Sequence, residues 1–221
     1  MQNLIQLKKR IDLSDKLIHF VRAVNRDDED YFLSEMHSYE FAFAGELVEV
    51  EDLSPFFILR RILRKLQILS TWSYRKGKRT IRGQYPAVCF TDMPISEFVK
   101  TSIERLRKGQ KISNYALVLD KKQMFALGAR PVIYGTSRGE EFPEHEEYRF
   151  VSYELDRIPY PIDWTHEREW RWPNFDYKAG FVPKSADDLF EDYEEIENEE
   201  KREALKADNE RLRKLIELRD E

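Results

Sequence analysis

The chain has 221 residues, of which 41% are hydrophobic, 13% aromatic and 36% charged, with a formal net charge of −5. This length suits one ordinary domain plus an appendage, and the aromatic content is that of a folded chain. The single cysteine, Cys89, excludes an internal disulfide framework and a cysteine-rich metal cluster. No stretch approaches the roughly 18 apolar residues of a membrane span, and the first residues lack the apolar core of a signal peptide, so we expect a cytoplasmic protein without membrane association.

Charge is unevenly distributed along the chain. Residues 184–221 contain 15 acidic and 8 basic residues, a net of −7, so residues 1–183 carry 29 basic and 27 acidic residues, a net of +2. No acidic residue lies between Asp52 and Asp92, and this interval contains a basic block made of Arg60, Arg61, Arg64, Lys65, Arg75, Lys76, Lys78, Arg79 and Arg82. Such a block favours binding of a polyanion, either DNA or RNA or the phosphates of a nucleotide. The alternative is a solvated helix face followed by a loop.

The first part of the chain predicts one strand and one clear helix. The apolar run LIHFVRA (17–23) predicts a strand with a turn before it at Ser14 or Asp15. The polar residues 25–40 predict a loop with a short helix. Ser54 is a natural N-cap with Pro55 at the first helical position, and leucines and isoleucines then recur at helical spacing.

The central part predicts short strands separated by modest helices. WSYRKGKRTIRGQYP (72–86) predicts a loop or hairpin, AVCFT (87–91) a buried strand, residues 96–107 a helix and YALVL (115–119) a further strand. KKQMFAL (121–127) predicts a short helix that stops at Gly128. RPVIYG (130–135) predicts a strand in which Pro131 favours a sheet edge or a first position, whereas EEYRFVSYEL (146–155) fits a helix and a strand equally.

Residues 185–221 contain no glycine or proline and only a thin apolar stripe, which includes Leu205, Leu212, Leu215, Ile216 and Leu218. This composition predicts a long charged helix that serves protein binding or self-association, with a solvated tail as the alternative. We therefore divide the chain into an α+β domain (1–183) and an acidic helical arm (184–221). The sequence contains no G-x-G-x-x-G or P-loop motif, which argues against a Rossmann domain and a P-loop nucleotide site.

The stretch DWTHEREWRW (163–172) concentrates polar and aromatic chemistry in ten residues. As a strand it alternates, with Glu167, Glu169 and Arg171 on one face and the tryptophans on the other. A Glu-x-Glu pair on a strand can hold a sugar hydroxyl and stabilise an oxocarbenium-like charge. The alternative is a surface strand whose glutamates form cross-strand ion pairs.

Three further residues are candidates from their positions in strands. His19 lies in an apolar strand, where a hydrogen-bonded core histidine is more common than a catalytic one. Asp92 follows Thr91 at the end of an apolar strand, where ligand contacts are common, and it is equally a candidate cap of the next helix. Cys89 predicts an inert buried thiol. The His, Asp and Glu residues are too scattered to define a metal site, and we predict none.

Four segments in order resemble a known class of proteins. LIHFVR (17–22), PAVCFTDMPIS (86–96), YALVLDKKQMFALGARPVIYG (115–135) and DWTHEREWR (163–171) resemble the AbiGi-type abortive-infection proteins of bacterial phage defence. They are more distantly similar to ADP-ribosyltransferase-like proteins of the DarT type. The resemblance covers roughly 17–172 and implies an ADP-ribosyltransferase-like α+β fold: a split mixed β-sheet with flanking helices that binds NAD in a cleft.

The resemblance also implies roles for individual residues. Glu169 would be the catalytic glutamate, which binds the ribose 2′-hydroxyl and stabilises the oxocarbenium, and Glu167 would orient the acceptor. His19 would hydrogen-bond the nicotinamide-side ribose, with Phe20 and Thr91 in the same cofactor site. The candidates for binding the pyrophosphate are Arg22, Arg79 and Arg82.

Three functions follow from this reading. The first is a toxin-like NAD-dependent ADP-ribosyltransferase of antiviral defence that modifies nucleic acid or protein. The second is a non-catalytic antitoxin or defence component of the same fold that binds a partner protein or nucleic acid. The third is an NAD glycohydrolase with no macromolecular acceptor.

Overall fold

A five-stranded antiparallel sheet forms the centre of the described part of the chain. The structure, a computed structural model, describes residues 13–23, 54–110, 112–136 and 142–176. Its strands are β1 (Lys16–Phe20), β2 (Tyr74–Arg75), β3 (Lys78–Arg79), β4 (Ala87–Thr91), β5 (Ala116–Asp120), β6 (Arg130–Pro131), β7 (Ile133–Gly135), β8 (Phe150–Ser152) and β9 (Glu169–Pro173). The helices are α1 (Pro55–Lys65), α2 (Ile95–Arg107) and α3 (Lys121–Ala126), with 3₁₀ turns at Glu144–Arg149 and Thr165–Glu167.

The sheet has the strand order β5–β1–β4–β9–β6, and every neighbouring pair in it is antiparallel. Two small pairs lie apart from it, the antiparallel pair β2–β3 and the parallel pair β7–β8. The predicted α+β class is therefore confirmed. The mixed character expected of the sheet is wrong for the five-stranded sheet, since parallel pairing among the described strands occurs only in β7–β8.

Helix α1 begins where the sequence predicts but ends at Lys65, before the predicted repeat of leucines and isoleucines is complete. The Phe57 amide donates to Ser54 Oγ over 3.3 Å, and Pro55 opens the helix. Arg64 and Lys65 occupy the last turn, where positive charge complements the helix dipole. Its C-cap, Leu66, adopts a left-handed conformation with φ 52°.

The predicted loop or hairpin after α1 is a tight hairpin. Strands β2 and β3 pair through Tyr74 with Arg79 and through Arg75 with Lys78. Lys76 and Gly77 form the turn between them, and both have positive φ, 52° and 69°. Positive φ at both central residues defines the type I′ turn, whose twist matches that of antiparallel strands and which favours glycine.

The register of the sheet assigns its side chains to two faces. Ile18 pairs with Thr91, and Thr91 pairs with Glu169, so these three residues share one face, here called the carboxylate face. The opposite face, here called the core face, carries a hydrophobic cluster that contains Leu17, Val88, Phe90, Met124 and Ala129, with Ile68, Leu119, Trp170 and Trp172 packed against it. The alternation predicted for Glu169 to Trp172 is confirmed.

Two segments, 130–135 and 146–155, each contain two elements rather than one. Residues 130–135 form two strands rather than one, because the strand is interrupted at Val132. The Val132 amide donates to the Glu169 carbonyl over 3.1 Å. Pro131 lies in β6 at the sheet edge, as predicted, where its missing amide costs no ladder hydrogen bond. The segment 146–155, which fits a helix and a strand equally in sequence, contains both, since the 3₁₀ helix Glu144–Arg149 leads directly into β8.

Predictions for residues 25–40 and for the arm 184–221 lie outside the described residues. Within the described ranges, no helix combines the length and apolar character that crossing a bilayer requires.

Candidate active site

The chain turns sharply just before β9, and this turn corrects the sequence prediction for 163–172. Residues Thr165–Glu167 form a 3₁₀ turn, Arg168 adopts a left-handed conformation with φ 47°, and the strand begins only at Glu169. The prediction of one continuous strand is wrong because Asp163 opens a turn, in which its carboxylate accepts from the Thr165 amide and hydroxyl over 2.9 and 2.6 Å. Glu167 and Glu169 therefore flank a left-handed residue instead of following each other along a strand.

The end of β4 holds this turn through three hydrogen bonds. Thr91 Oγ1 donates to the Glu167 carbonyl over 2.7 Å, and the Asp92 amide donates to the Arg168 carbonyl over 3.1 Å. Arg168 Nε in turn donates to Asp92 Oδ1 over 2.8 Å. A left-handed non-glycine residue is disfavoured by roughly 1 kcal/mol and persists where its surroundings hold it. Thr91 and Asp92 supply that constraint, and the strained residue lies between the two glutamates.

Asp92 also links the turn to helix α3. Its Oδ2 accepts from Lys121 Nζ over 2.7 Å and from Trp170 Nε1 over 3.3 Å, and Lys121 Nζ lies 5.0 Å from the centre of the Trp170 ring. The alternative role of Asp92 as the cap of α2 is wrong, because the N-cap of α2 is Pro94 and no side chain caps it.

Glu169 forms a bidentate ion pair with Arg171 on the carboxylate face. Arg171 Nε donates to Glu169 Oε1 over 2.8 Å, and a second guanidinium nitrogen donates to Oε2 over 3.2 Å. The remaining nitrogen of Arg171 donates to the carbonyls of Tyr148 and Phe150 over 2.6 and 3.2 Å. Arg171 is 4% exposed, so the pair fastens β9 to the start of β8 inside the protein.

Glu167 is more accessible than Glu169 and lies beside the hairpin. Its Oε1 is 3.9 Å from a guanidinium nitrogen of Arg75, a loose ion pair between partly exposed groups. The Arg75 guanidinium lies 5.0 Å from the centre of the Trp164 ring. The hairpin therefore brings a cation and an aromatic ring to the accessible glutamate.

Tyr134, in β7, lies next to both glutamates. Burial raises the pKa of Tyr134, and the negative charges of Glu169 and Glu167 raise it further, against the opposing effect of a hydrogen bond with the Glu169 backbone. Its hydroxyl donates to the Trp164 carbonyl over 3.3 Å. Glu167, Glu169, Arg75, Tyr134 and Trp164 thus form one group, here called the carboxylate cluster.

The structure does not bring His19 to this cluster. His19 follows Ile18 in β1 and so lies on the core face, whereas Glu169 lies on the carboxylate face. Its Nδ1 donates to the Cys89 carbonyl over 2.9 Å, and its ring meets the Phe90 ring edge to face at 5.7 Å. Burial lowers the pKa of His19, and the charge of Arg22 acts in the same direction.

The other predicted site residues contact aromatic rings or neighbouring strands. Phe20 points to the same side of β1 as Ile18 but pairs with Ala116 at the far edge, and the Arg22 guanidinium lies 6.0 Å from its ring centre. The Arg79 guanidinium lies 4.7 Å from the centre of the Trp72 ring. Arg82 lies 3.8 Å from the Phe150 ring centre and donates to Ser152 Oγ over 3.2 Å.

Cys89 lies on the carboxylate face of β4, directly opposite Arg171 in β9. Burial is the largest cause of a strongly raised pKa for its thiol, and the charge of Glu169 adds to it. A thiol held protonated in this way is a poor nucleophile, in agreement with the predicted inert role. Among residues 13–23, 54–110, 112–136 and 142–176, no three His, Cys, Asp or Glu side chains are arranged to hold a metal ion.

Sequence reasoning missed Arg75, Tyr134 and the anchoring role of Asp92. Arg75 was one of nine cations in the basic block, and only the type I′ turn, signalled by the glycine of KGK, brings it to Glu167.

Comparison of the chain with protein-family models, with curated proteins and with solved structures gave no match.

Proposed function

We propose that this chain is an NAD-dependent ADP-ribosyltransferase of the antiphage-defence class that its sequence resembles, with an ADP-ribosyltransferase-like fold. The observation that carries the proposal is the turn at 167–169, which holds two carboxylates beside an arginine and a tyrosine. A carboxylate held in a fixed position is suited to stabilising positive charge that develops during a reaction.

In the proposed reaction the bond between nicotinamide N1 and ribose C1′ breaks, and its electron pair leaves with nicotinamide. The ribose is left as an oxocarbenium ion. Glu169 accepts a hydrogen bond from the ribose 2′-hydroxyl and stabilises the cation, while Arg171 keeps the carboxylate in place. The nucleophilic atom of the acceptor then bonds to C1′, and Glu167 accepts the proton that this atom loses.

Arg75 is the residue that we assign to the pyrophosphate. It is partly exposed, its ion pair with Glu167 is long at 3.9 Å, and stacking near Trp164 orients its planar guanidinium. A phosphate oxygen can replace the glutamate as its partner at little cost, because partly exposed ion pairs contribute only about 0–1 kcal/mol. His19 lies on the opposite face, so we assign it to the support of β4 through the Cys89 carbonyl.

Nucleic acid is the acceptor that the hairpin favours. Arg75, Lys76 and Lys78 are exposed around the type I′ turn, and no acidic residue lies within the hairpin. The same arginine that contacts Glu167 belongs to this basic tip, so a phosphate backbone bound there would pass next to the carboxylate cluster. Water as the acceptor, as in an NAD glycohydrolase, is distinguished by the same assay.

One observation favours a second candidate, a non-catalytic binding component. Both carboxylate oxygens of Glu169 are engaged by Arg171, and the side chain of Glu169 is only 13% exposed. In this alternative the pair serves the fold alone, and the basic hairpin binds nucleic acid or an acidic partner without chemistry.

The test uses NAD labelled in the adenylate portion, mixed with purified protein and with single-stranded or duplex oligonucleotides. Wild type is compared with Glu169→Gln and Glu167→Gln, and with Glu104→Gln as the control for an exposed glutamate on α2. If Glu169→Gln fails to fold, Glu169→Asp keeps the charge beside Arg171 and moves the carboxylate by about 1.5 Å.

We expect transfer of label by wild type and by the control, its loss in Glu169→Gln, and in Glu167→Gln nicotinamide release without transfer. If wild type releases nicotinamide but transfers no label under any condition, the acceptor is water and the protein is an NAD glycohydrolase. Absence of both NAD binding and turnover in folded wild type contradicts the proposal and leaves the binding component.

A further inference from the structure

Helix α1 presents a mixed apolar and cationic stripe to solvent. Phe56, Arg60, Leu63 and Arg64 recur at the spacing of one helix face, and all four are exposed. Phe56 is 58% exposed, Leu63 55% and the following Leu66 89%. None of the residues of α1 is fully buried. Large apolar side chains grouped in this way, with cations between them, characterise a surface that another segment covers.

The charge of α1 specifies what kind of segment fits. Its eleven residues include Arg60, Arg61, Arg64 and Lys65 and no acidic residue. The complementary partner carries leucine or isoleucine side chains with carboxylates around them. Residues 184–221 of the same chain have this composition, with 15 acidic and 8 basic residues and the apolar residues Leu205, Leu212, Leu215, Ile216 and Leu218.

The chain leaves the described region close to α1. Asn174 Nδ2 donates to Ser70 Oγ over 3.3 Å, and the Asn174 amide donates to the Pro86 carbonyl over 2.9 Å. Ser70 follows the end of α1 by five residues. From Asp176, the last described residue, eight residues of extended chain reach position 184 and span up to about 27 Å. Since α1 is itself only about 16 Å long, the whole helix lies within reach.

We propose that residues 184–221 fold back on α1 of the same molecule, with their apolar stripe on Phe56, Leu63 and Leu66 and their carboxylates opposite the basic residues. The docked segment covers the α1 half of the basic block and leaves the hairpin half, at Arg75 to Arg79, open. It acts as an internal polyanion that occupies α1, so that external polyanions bind only at the hairpin. This proposal does not depend on the enzymatic one, because it concerns a different surface.

The test is zero-length carbodiimide cross-linking of the full chain, which joins lysine amines to carboxylates that touch them. Lys65 lies on the side of α1 opposite Phe56, so Arg60→Lys supplies the reporter amine on the stripe, and Lys122, exposed on α3, is the matched control. Peptide mapping identifies each cross-link, and a mixture of ¹⁴N- and ¹⁵N-labelled protein separates links within one molecule from links between molecules. In the same background, Leu63→Glu/Arg64→Glu places two repulsive charges on the stripe without changing the reporter.

We expect links from the reporter amine at position 60 to carboxylates within 187–221, inside one molecule, at least fivefold more abundant than links from Lys122. They should fall at 0.5 M salt and be lost in the double variant, whose folding is checked by circular dichroism. Equal yields at the reporter and at Lys122, or no link at the reporter, would overturn the proposal. Links of mixed isotope composition would overturn it in favour of a second copy as the occupant.

Discussion

Substitution of Glu169 by glutamine tests the ion pair on which the carboxylate cluster depends. The change leaves the Arg171 guanidinium, 4% exposed, with two backbone carbonyls and a neutral amide in place of a bidentate carboxylate. Removing one partner of a buried ion pair costs about 3–5 kcal/mol. Because glutamine keeps one acceptor oxygen, we expect a loss near 3 kcal/mol, a large fraction of the roughly 5–15 kcal/mol of a typical domain.

The measurement is urea unfolding followed by tryptophan fluorescence and circular dichroism. With an m-value of about 2 kcal/mol/M, the midpoint of Glu169→Gln should fall by about 1.5 M. The control is Glu146→Gln, which removes an i,i+3 partner of Arg149 at 2.5 Å nearer the surface and should cost at most about 1 kcal/mol.

A double-mutant cycle separates the pair from its neighbours. Arg171→Met should destabilise by at least as much as Glu169→Gln, because it leaves a carboxylate and the carbonyls of Tyr148 and Phe150 without their donor. The double variant should be more stable than the sum of the single changes predicts, by about 1–3 kcal/mol. A coupling near zero, or single changes that each cost less than about 1 kcal/mol, would refute the reasoning that this pair is buried and bidentate.

Three further predictions concern titration, reactivity and charge. Burial lowers the pKa of His19, so below about pH 6.5 the unfolded chain binds a proton that the folded chain does not. The free energy of unfolding should therefore decrease as the pH is lowered through this range, by up to about 1.4 kcal/mol per pH unit relative to His19→Gln. Parallel curves of unfolding free energy against pH for the two proteins would contradict this. Burial raises the pKa of the Cys89 thiol, so at pH 8 this half-buried thiol should react with a disulfide reagent much more slowly than free cysteine, and a rate equal to that of free cysteine would contradict the raised pKa. If the hairpin binds duplex DNA, Lys76→Glu and Lys78→Glu should each reduce the slope of log affinity against log salt by about 0.9, and an unchanged slope would remove the hairpin from the interface.

The elements that the sequence predicted correctly are those with strong local signals. Ser54 and Pro55 start α1, Asp120 starts α3 by accepting from the amides of Lys122 and Gln123, and Gly128 ends it with φ 103°. Each signal acts within a few residues, so it can be read without knowing what the element packs against. The buried strand 87–91 follows from its continuous apolar run.

The turn before β9 could not be predicted from alternation alone. The sequence pattern of 163–172 fits a strand throughout, and it is the contacts of Thr91 and Asp92, more than 70 positions away, that hold Arg168 in a left-handed conformation. Long-range contacts of this kind override local preference. The position of His19 relative to Glu169 depends likewise on the register between β1 and β4, which no single segment contains.

The two carboxylates of the candidate site were therefore predictable, but its other members and its arrangement were not. Glu167 and Glu169 were recognisable from their Glu-x-Glu spacing, whereas Arg75 was one cation among nine until the hairpin gave it a position. The guanidinium groups of two arginines expected to bind pyrophosphate lie over aromatic rings, Arg79 over Trp72 and Arg82 over Phe150.

The release of nicotinamide from NAD by the purified full chain tests the central claim most directly. Wild type and Glu169→Gln are measured side by side, at a temperature where the urea curves show both to be folded. The proposed chemistry predicts release by wild type and a decrease of at least 100-fold in the variant, since an electrostatic group of this kind contributes about 10²–10³ in rate. Equal release by the two proteins, or none by either in the presence of nucleic acid, would contradict the claim that Glu169 stabilises a ribosyl cation.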